Sequence, residues 1–358
     1  MTMIMRKLYS FLFAALAVVA IAQVFVACEK DIEVPEKPIQ RPETSHILMT
    51  TYKNVGEEVV LHYSQGGIVG LPPVLIGAEK AWQYDLEGNL PRNLKYKLTS
   101  KTVIIQGEIK YLKCAEAGLT TLDVGECEAL ERLICNSNAL MQMSFPNNPN
   151  LKELNCARNN LTELDLSKLP ALEILNCGSC LINELDLSHN TKLKSFSCST
   201  PNGRPSQYQL ASLNVQGCSE LEHLDCYNNN LLSLDCSGLS KLKEFNCHQT
   251  KLASLNLEGC TSLETLWCYQ TQLTSLDLSD CVNLKSLKVY RDNITGEALS
   301  AMVKSMPDRT GREAGSFLAY LGNTAEENEL TEEDRAILAS KNWEVKPAGW
   351  VGSVSGNQ

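Results

Sequence analysis

Histidine is scarce in this chain, with five among 358 residues. No basic run or arginine-rich stripe occurs, and the formal net charge is −10. A nucleic-acid partner needs clustered Lys and Arg to displace phosphate counterions, so that class of function is excluded. The short patterns that carry chemistry are missing too: there is no G-x-S-x-G, no H-E-x-x-H, no Walker loop and no dinucleotide glycine fingerprint. The histidines are His46, His62, His189, His223 and His248, and none joins a cysteine cluster of the kind that gives zinc its tetrahedron. The chain reads as a non-enzyme without metal or cofactor.

What it has in abundance is repetition. Cys114, Cys135, Cys156, Cys177 and Cys198 follow one another at a fixed step of 21 residues. A step of 28 leads to Cys226, and the beat resumes at Cys247, Cys268 and Val289. Each cysteine sits in the same phrase, as in LKELNCARNNLTELDLS from Leu151 to Ser167. Four apolar columns keep this step, beginning at Ile109, Leu112, Leu119 and Leu122. The longer step holds a seven-residue insertion near Pro201-Asn202-Gly203-Arg204-Pro205, which has loop composition. A fixed period of this size means stacked units that share one core.

Within each unit, L-x-x-L-x-C ends in alternation, the signature of a short strand with one buried face. L-x-x-L-D-L-S repeats that logic, and 21 residues leave no room for a long helix between the two. Each unit is therefore a coil of two short extended segments joined by turns. Parallel strands stack roughly 4.8 Å apart, so about nine coils make a rod on the order of 45 Å long.

These columns resemble the leucine-rich repeat family, in its cysteine-ladder, 21-residue form found in internalin-J-type and Bacteroidetes surface lipoproteins. The resemblance covers 109–294 and implies a mainly β solenoid, a right-handed coil of about nine repeats. It also implies an adhesion or interaction role. The family's asparagine column falls on Asn138, Asn159 and Asn229, and departs to Ala117, Cys180, Thr250, Thr271 and Asp292. Cysteine and threonine can donate to a turn carbonyl in its place, whereas Ala117 cannot. An irregular first coil is expected.

The start of the sequence reads as an address. Arg6 and Lys7 precede an apolar run from Leu8 to Ala27, a secretion signal. Its end, Val26-Ala27-Cys28, resembles a bacterial lipobox, which implies acylation of Cys28 and anchoring to a membrane through that lipid. Residues 28–44 are charged and carry Pro35, Pro38 and Pro42, the composition of an extended tether. The expected location is the cell envelope, lipid-anchored, at the outer membrane and surface-exposed.

Residues 45–108 read as a small β unit with a turn at Asp85-Leu86-Glu87-Gly88-Asn89, and 295–358 as α/β. Helical spacing at Leu299, Met302, Val303 and Met306 and a helix start at Thr331 support the latter. Both are expected to cap the open ends of the solenoid, where strand edges would otherwise aggregate. The cysteine ladder occupies an inward position and is expected to hold reduced, buried thiols. The polar column Asp123, Ser144, Asp165, Asp186, Asn214, Asp235, Asn256, Asp277 is expected to accept hydrogen bonds from turn amides, with calcium bridging as the rival.

Outward residues flank the second leucine and the cysteine of each coil. In the column after the cysteine, Ala115, Asn136, Ala157, Gly178 and Ser199 give way to Tyr227, His248, Tyr269 and Tyr290, with Trp267 alongside. His223 and Asp225 lie on the same face. This stripe is expected to bind a protein or glycan ligand. Two other readings are open: a structural envelope lipoprotein without a specific ligand, or an enzyme whose site lies in a cap. The stripe itself can also serve as a stability ladder between neighbouring strands.

Overall fold

The structure is a computed structural model that describes residues 45–64, 74–81, 94–201, 209–320 and 330–347. The signal segment, Cys28, the tether, the turn at 85–89 and most of the insertion lie outside the described residues.

Nine coil strands, from Tyr111–Lys113 to Ser286–Lys288, lie parallel in one sheet of 12 strands. Their register follows the sequence step: Leu112, Leu133, Leu154, Leu175, Phe196, Leu224, Phe245, Leu266 and Leu287 are successive partners. Each coil strand is only three residues long. Its central residue points into the core and its neighbours point out. On the opposite wall the second segments pair where they are straight enough, as Glu184–Asp186 with Ser212–Asn214 and Ser233–Asp235 with Ser254–Asn256. The result is a leucine-rich, mainly β solenoid whose leucine columns fill one continuous core.

Two features recur in the turns of the coil. The residue two after the cysteine adopts left-handed backbone at Glu116, Ser137, Arg158, Ser179, Asn228, Gln249, Gln270 and Arg291, with φ of 53–58°. Most L-residues avoid this region, so something must hold it. The asparagine column does. Asn159 Nδ2 donates to the carbonyls of Cys156 in its own coil (2.8 Å) and Cys135 in the coil before (3.1 Å), while its Oδ1 accepts from the Leu140 amide. Asn138 and Asn229 repeat this pattern. Thr250 donates to the Cys247 carbonyl and Cys180 to the Cys156 carbonyl, as expected of these substitutes, whereas the Thr271 hydroxyl donates to Asp292 Oδ1 in the next coil. In the first coil, where Ala117 has no donor, Thr51 Oγ1 reaches across from the N-terminal unit to the carbonyls of Ala117 and Gly118.

All fourteen cysteines of the described residues are buried and free. Burial raises the thiols of the main ladder, Cys114 to about 12, which keeps them protonated and unreactive. Several act as sulfur donors: Cys127, Cys218 and Cys260 each bond a carbonyl at 3.2–3.3 Å. Asn148 and Asn190 share that column and donate in the same way, each to two carbonyls of the preceding coil.

The Asp column binds its own turns. Asp165, Asp186, Asp235 and Asp277 each accept from the backbone N–H two residues on at 2.9–3.0 Å, and Asn214 and Asn256 do the same. No group of three metal-ligating side chains is assembled among the described residues.

Both ends of the main sheet are extended. His62–Ser64 adds antiparallel to the first coil strand, and His46–Thr51 pairs with both Thr102–Gln106 and Leu119–Asp123. At the other end Gly315–Tyr320 and Trp343–Pro347 continue the parallel ladder, each preceded by a helix, Gly296–Ser305 and Glu332–Ser340. Thr331 and Asp334 form a reciprocal capping box at the start of the second. Buried Arg309 donates to the Leu284 carbonyl of the last full coil, tying this unit to the repeats. No helix among the described residues is long and apolar enough to cross a membrane.

Candidate functional site

The outward positions of the coil strands form one face, and its character changes along the solenoid. In the early coils the residue after the cysteine is small. Gly178 is the extreme case: a Cβ there would lie 2.2 Å from the Ser199 carbonyl oxygen, so only glycine fits. From the sixth coil onward the same column is a pile of rings. Tyr227 and His248 stack with centroids 4.7 Å apart and planes at 7°, His248 and Tyr269 at 4.4 Å and 12°, and Tyr269 and Tyr290 at 4.5 Å and 8°. The spacing follows from the sheet itself, since parallel neighbours sit about 4.8 Å apart. The rings are half-buried: each covers its neighbour's faces and leaves its edge outward.

The next column inward from the stack, the residue before the cysteine, has a turn role. Asn155 Oδ1 accepts from the Ala157 amide (3.3 Å) and Asn176 Oδ1 from the Gly178 amide (3.2 Å). Asp225 fills this seat in the sixth coil and accepts from the Tyr227 amide, yet burial pushes its carboxyl up to about 6. Its Oδ1 has no hydrogen-bond partner. Trp267 fills the seat two coils on, and its Nε1 is also without a partner. The Lys288 ammonium lies 3.9 Å from the Trp267 ring centroid, a close cation–π contact. Between them, Asn246 Oδ1 lies 2.5 Å from His248 Nδ1. Burial, with a smaller push from Lys288, lowers His248 to about 4, so the stacked imidazole is neutral.

His223 stands on the outer edge of the same face, 3.2 Å from Glu244. Asp225, Glu244, Thr265 and Trp267 surround a depression of about 340 Å³ floored by Leu224 and Phe245. The structure thus brings His223, Asp225 and Trp267 around one depression and aligns Tyr227, His248, Tyr269 and Tyr290 beside it. Cys28 lies outside the described residues. The arrangement offers an aromatic platform beside a shallow polar depression.

One ordered feature escapes a reading of the outward columns alone. The residue after the first leucine alternates in sign through all nine coils: Lys110, Glu131, Lys152, Glu173, Lys194, Glu222, Lys243, Glu264, Lys285. Adjacent members pair, as Glu131 with both Lys110 (3.3 Å) and Lys152 (2.8 Å), Glu173 with Lys194 (2.7 Å) and Glu222 with Lys243 (2.6 Å). Lys285 pairs with Glu264 as well. The signal was present at a period of two repeats, longer than the 21-residue step.

Comparison with known proteins finds likeness in the repeats. Residues 149–189 match the family model for leucine-rich repeats in two copies. Solved structures similar to the chain include the leucine-rich effector YopM of Yersinia pestis, with 24% identity, 57% of this chain, 53% of that one and a TM-score of 0.42. They also include the functional domain of InlJ of Listeria monocytogenes, which includes a cysteine ladder, with 21% identity over 63% of this chain and 78% of that one and a TM-score of 0.26. A leucine-rich repeat protein of Leptospira interrogans matches at 23% identity over 52% of this chain and 55% of that one, with a TM-score of 0.38. The chain spans about half the length of the Yersinia protein. A search of curated proteins finds no match.

Proposed function

We propose that this chain, whose residues 149–189 match the leucine-rich repeat model and whose nine coil strands stack in one parallel ladder, is a non-catalytic recognition or adhesion protein of the cell envelope. In this reading it is anchored through lipid on Cys28 and displayed at the outer membrane. It binds a protein or glycan on the strand face of its sixth to ninth coils. Leucine-rich repeat proteins of the internalin type are commonly protein-binding. The observation that carries the reading is the run of Tyr227, His248, Tyr269 and Tyr290 in a column whose earlier members are small or polar, with Trp267 beside it. Rigid aromatic side chains with polar rims supply large contact area at low entropic cost.

A structural reading has one observation in its favour: the rings stack on one another and so stabilise the sheet they stand on. The two separate in one experiment. The full chain is screened on glycan and extracellular-matrix protein arrays, and the hit is remeasured with the Trp267→Ala, Tyr269→Ala double variant, with melting temperature in parallel. Recognition predicts loss of binding at least tenfold beyond any change in the folded fraction. Binding that survives while the melting temperature falls makes the stripe structural.

A further inference from the structure

We propose that the depression bounded by Asp225, Glu244, Thr265 and Trp267 receives an arginine side chain of a protein partner. The proposal rests on the recognition reading above and names the partner chemistry of that face.

The first half of the face shows how the chain itself houses such a group. The Arg132 guanidinium carbon lies 5.3 Å from the Tyr111 ring centroid, and Arg132 Nε lies 2.6 Å from the Glu153 carboxylate. A ring and a carboxylate thus hold one guanidinium, by cation–π attraction and a charge-assisted hydrogen bond. Glu244 stands in the same column as Glu153, and follows His223 by one coil as Glu153 follows Arg132. The ring beside it is Trp267, on the next coil. The cation is what differs. Glu244 meets the His223 imidazole at 3.2 Å, and an imidazole is not permanently charged as a guanidinium is. The Glu244 side chain is accordingly 65% exposed, against 22% for Glu153. A ring and an open carboxylate therefore border one depression of about 340 Å³, and no lysine or arginine is part of its lining.

The charges around the depression select the same occupant. Lys243 and Lys285 are taken up by Glu222 and Glu264. Lys288 lies against one face of Trp267, 3.9 Å from the ring centroid, outside the lining of the depression. The opposite face of the ring is left to the depression. Glu244 is open to contact. Asp225, whose Oδ1 is enclosed, acts through its charge alone. Two carboxylates against one ammonium favour a cation and repel an anion. An apolar side chain would strip water from Glu244 and return no hydrogen bond. Among cations, arginine fits best. Its flat guanidinium stacks on an aromatic face while its edge forks toward a carboxylate, and it is more weakly hydrated than an ammonium.

The test uses the full chain at neutral pH and low salt, with isothermal calorimetry reading the affinity. The probes are the acetylated, amidated tripeptides Gly-Arg-Gly, Gly-Lys-Gly and Gly-Glu-Gly. The arginine peptide should saturate in the millimolar range, the lysine peptide should bind more weakly, and the glutamate peptide should not bind. Glu244→Gln should weaken arginine binding about tenfold, the loss of one charge-assisted hydrogen bond. Trp267→Leu should weaken it about threefold, with the melting temperature of both variants read in parallel. Lys288→Gln removes the like charge behind the ring and should strengthen binding about twofold, a gain that partial unfolding cannot imitate. Glu153→Gln, on the early half, should change nothing. The inference is overturned if the arginine peptide does not saturate up to about 100 mM, if Glu244→Gln binds it as the parent does, or if the lysine or glutamate peptide binds as tightly. Should an array hit, protein or glycan, depend on Trp267 and Tyr269 while the arginine peptide does not titrate, the arginine inference falls and the recognition reading stands.

Discussion

Two halves of one face share a backbone and differ in what they show to solvent. In coils one to five the column after the cysteine is Ala115, Asn136, Ala157, Gly178 and Ser199; in coils six to nine it is Tyr227, His248, Tyr269 and Tyr290. The strands beneath are in the same register, the leucine columns are equally buried, and the left-handed turn residue recurs on both sides. The core therefore does not demand the rings. The early half could not carry an unbroken stack either, because the Ser199 backbone closes over Gly178. A solenoid separates the two kinds of residue cleanly: inward positions set the coil, and outward positions are free to take on a task.

The largest effect should show no difference between the halves. Leu154 and Leu224 hold the same column, one under each half, and both are essentially inaccessible. Leu154→Ala and Leu224→Ala should each cost about 3 kcal/mol through lost burial and the cavity left behind. Denaturant titration of the two variants should give midpoints that fall together. A cost at Leu224 well above that at Leu154 would mean the aromatic stack is part of the core, and the comparison would fail.

The middle-sized effect should expose the difference. Tyr269 is stacked on both faces, by His248 and Tyr290. Tyr269→Ala should lose two ring contacts, about 1–2 kcal/mol in all. Ala157 is half-buried in the same column, between Asn136 and Gly178. Ala157→Tyr has no ring to stack on and should leave the melting temperature within about 1–2 °C. Thermal melts of both variants check this. Equal losses at the two sites would show that the column responds to any change in size, and that stacking carries no specific stabilisation.

Much of this fold could be read before any geometry was known, because the signal was redundant. Four apolar columns, a cysteine column and an asparagine column all agreed in phase, so the strand, its inward face and the turn donors followed from spacing. The donors at Cys180 and Thr250 were legible from chemistry alone. The Asp column accepts from turn amides, as Asp and Asn commonly do. Other features depend on contacts distant in sequence. Nothing local to Ala117 points to Thr51, 66 residues away, as the group that completes the first coil. The orphan atoms of Asp225 and Trp267 could not be foreseen, since burial of a single atom depends on the rotamers of three neighbouring coils. The alternating Lys and Glu column was written in the sequence but at twice the repeat, where a search at 21 residues does not look.

The smallest effect is a pH dependence confined to the aromatic half. His248 is held down at about 4 by burial between two tyrosines, against an unfolded value near 6.5. The folded state binds its proton more weakly than the unfolded chain does. Its contribution is therefore complete above pH 6.5 and is lost as pH falls toward 4. Asp225 has the opposite sign. Burial raises it to about 6 from an unfolded value near 3.9, so its contribution is complete below that value and is lost as pH rises through 6. Between pH 6 and 4 the two oppose each other, and the parent protein hides both. Single variants separate them. His248→Phe keeps a stacking ring and removes the titration, so its advantage over the parent should grow as pH is lowered from 7 to 5, by about 1 kcal/mol allowing for partial exposure. Asp225→Asn should be more stable than the parent at pH 7 by a similar amount, with the gap closing as pH falls below 6. Calorimetric melts at pH 7, 6 and 5 check both trends. If the His248→Phe gap stays flat across this range, the imidazole is not buried in the stack, and the ordered pile of rings that distinguishes the two halves of the face is wrong at its centre.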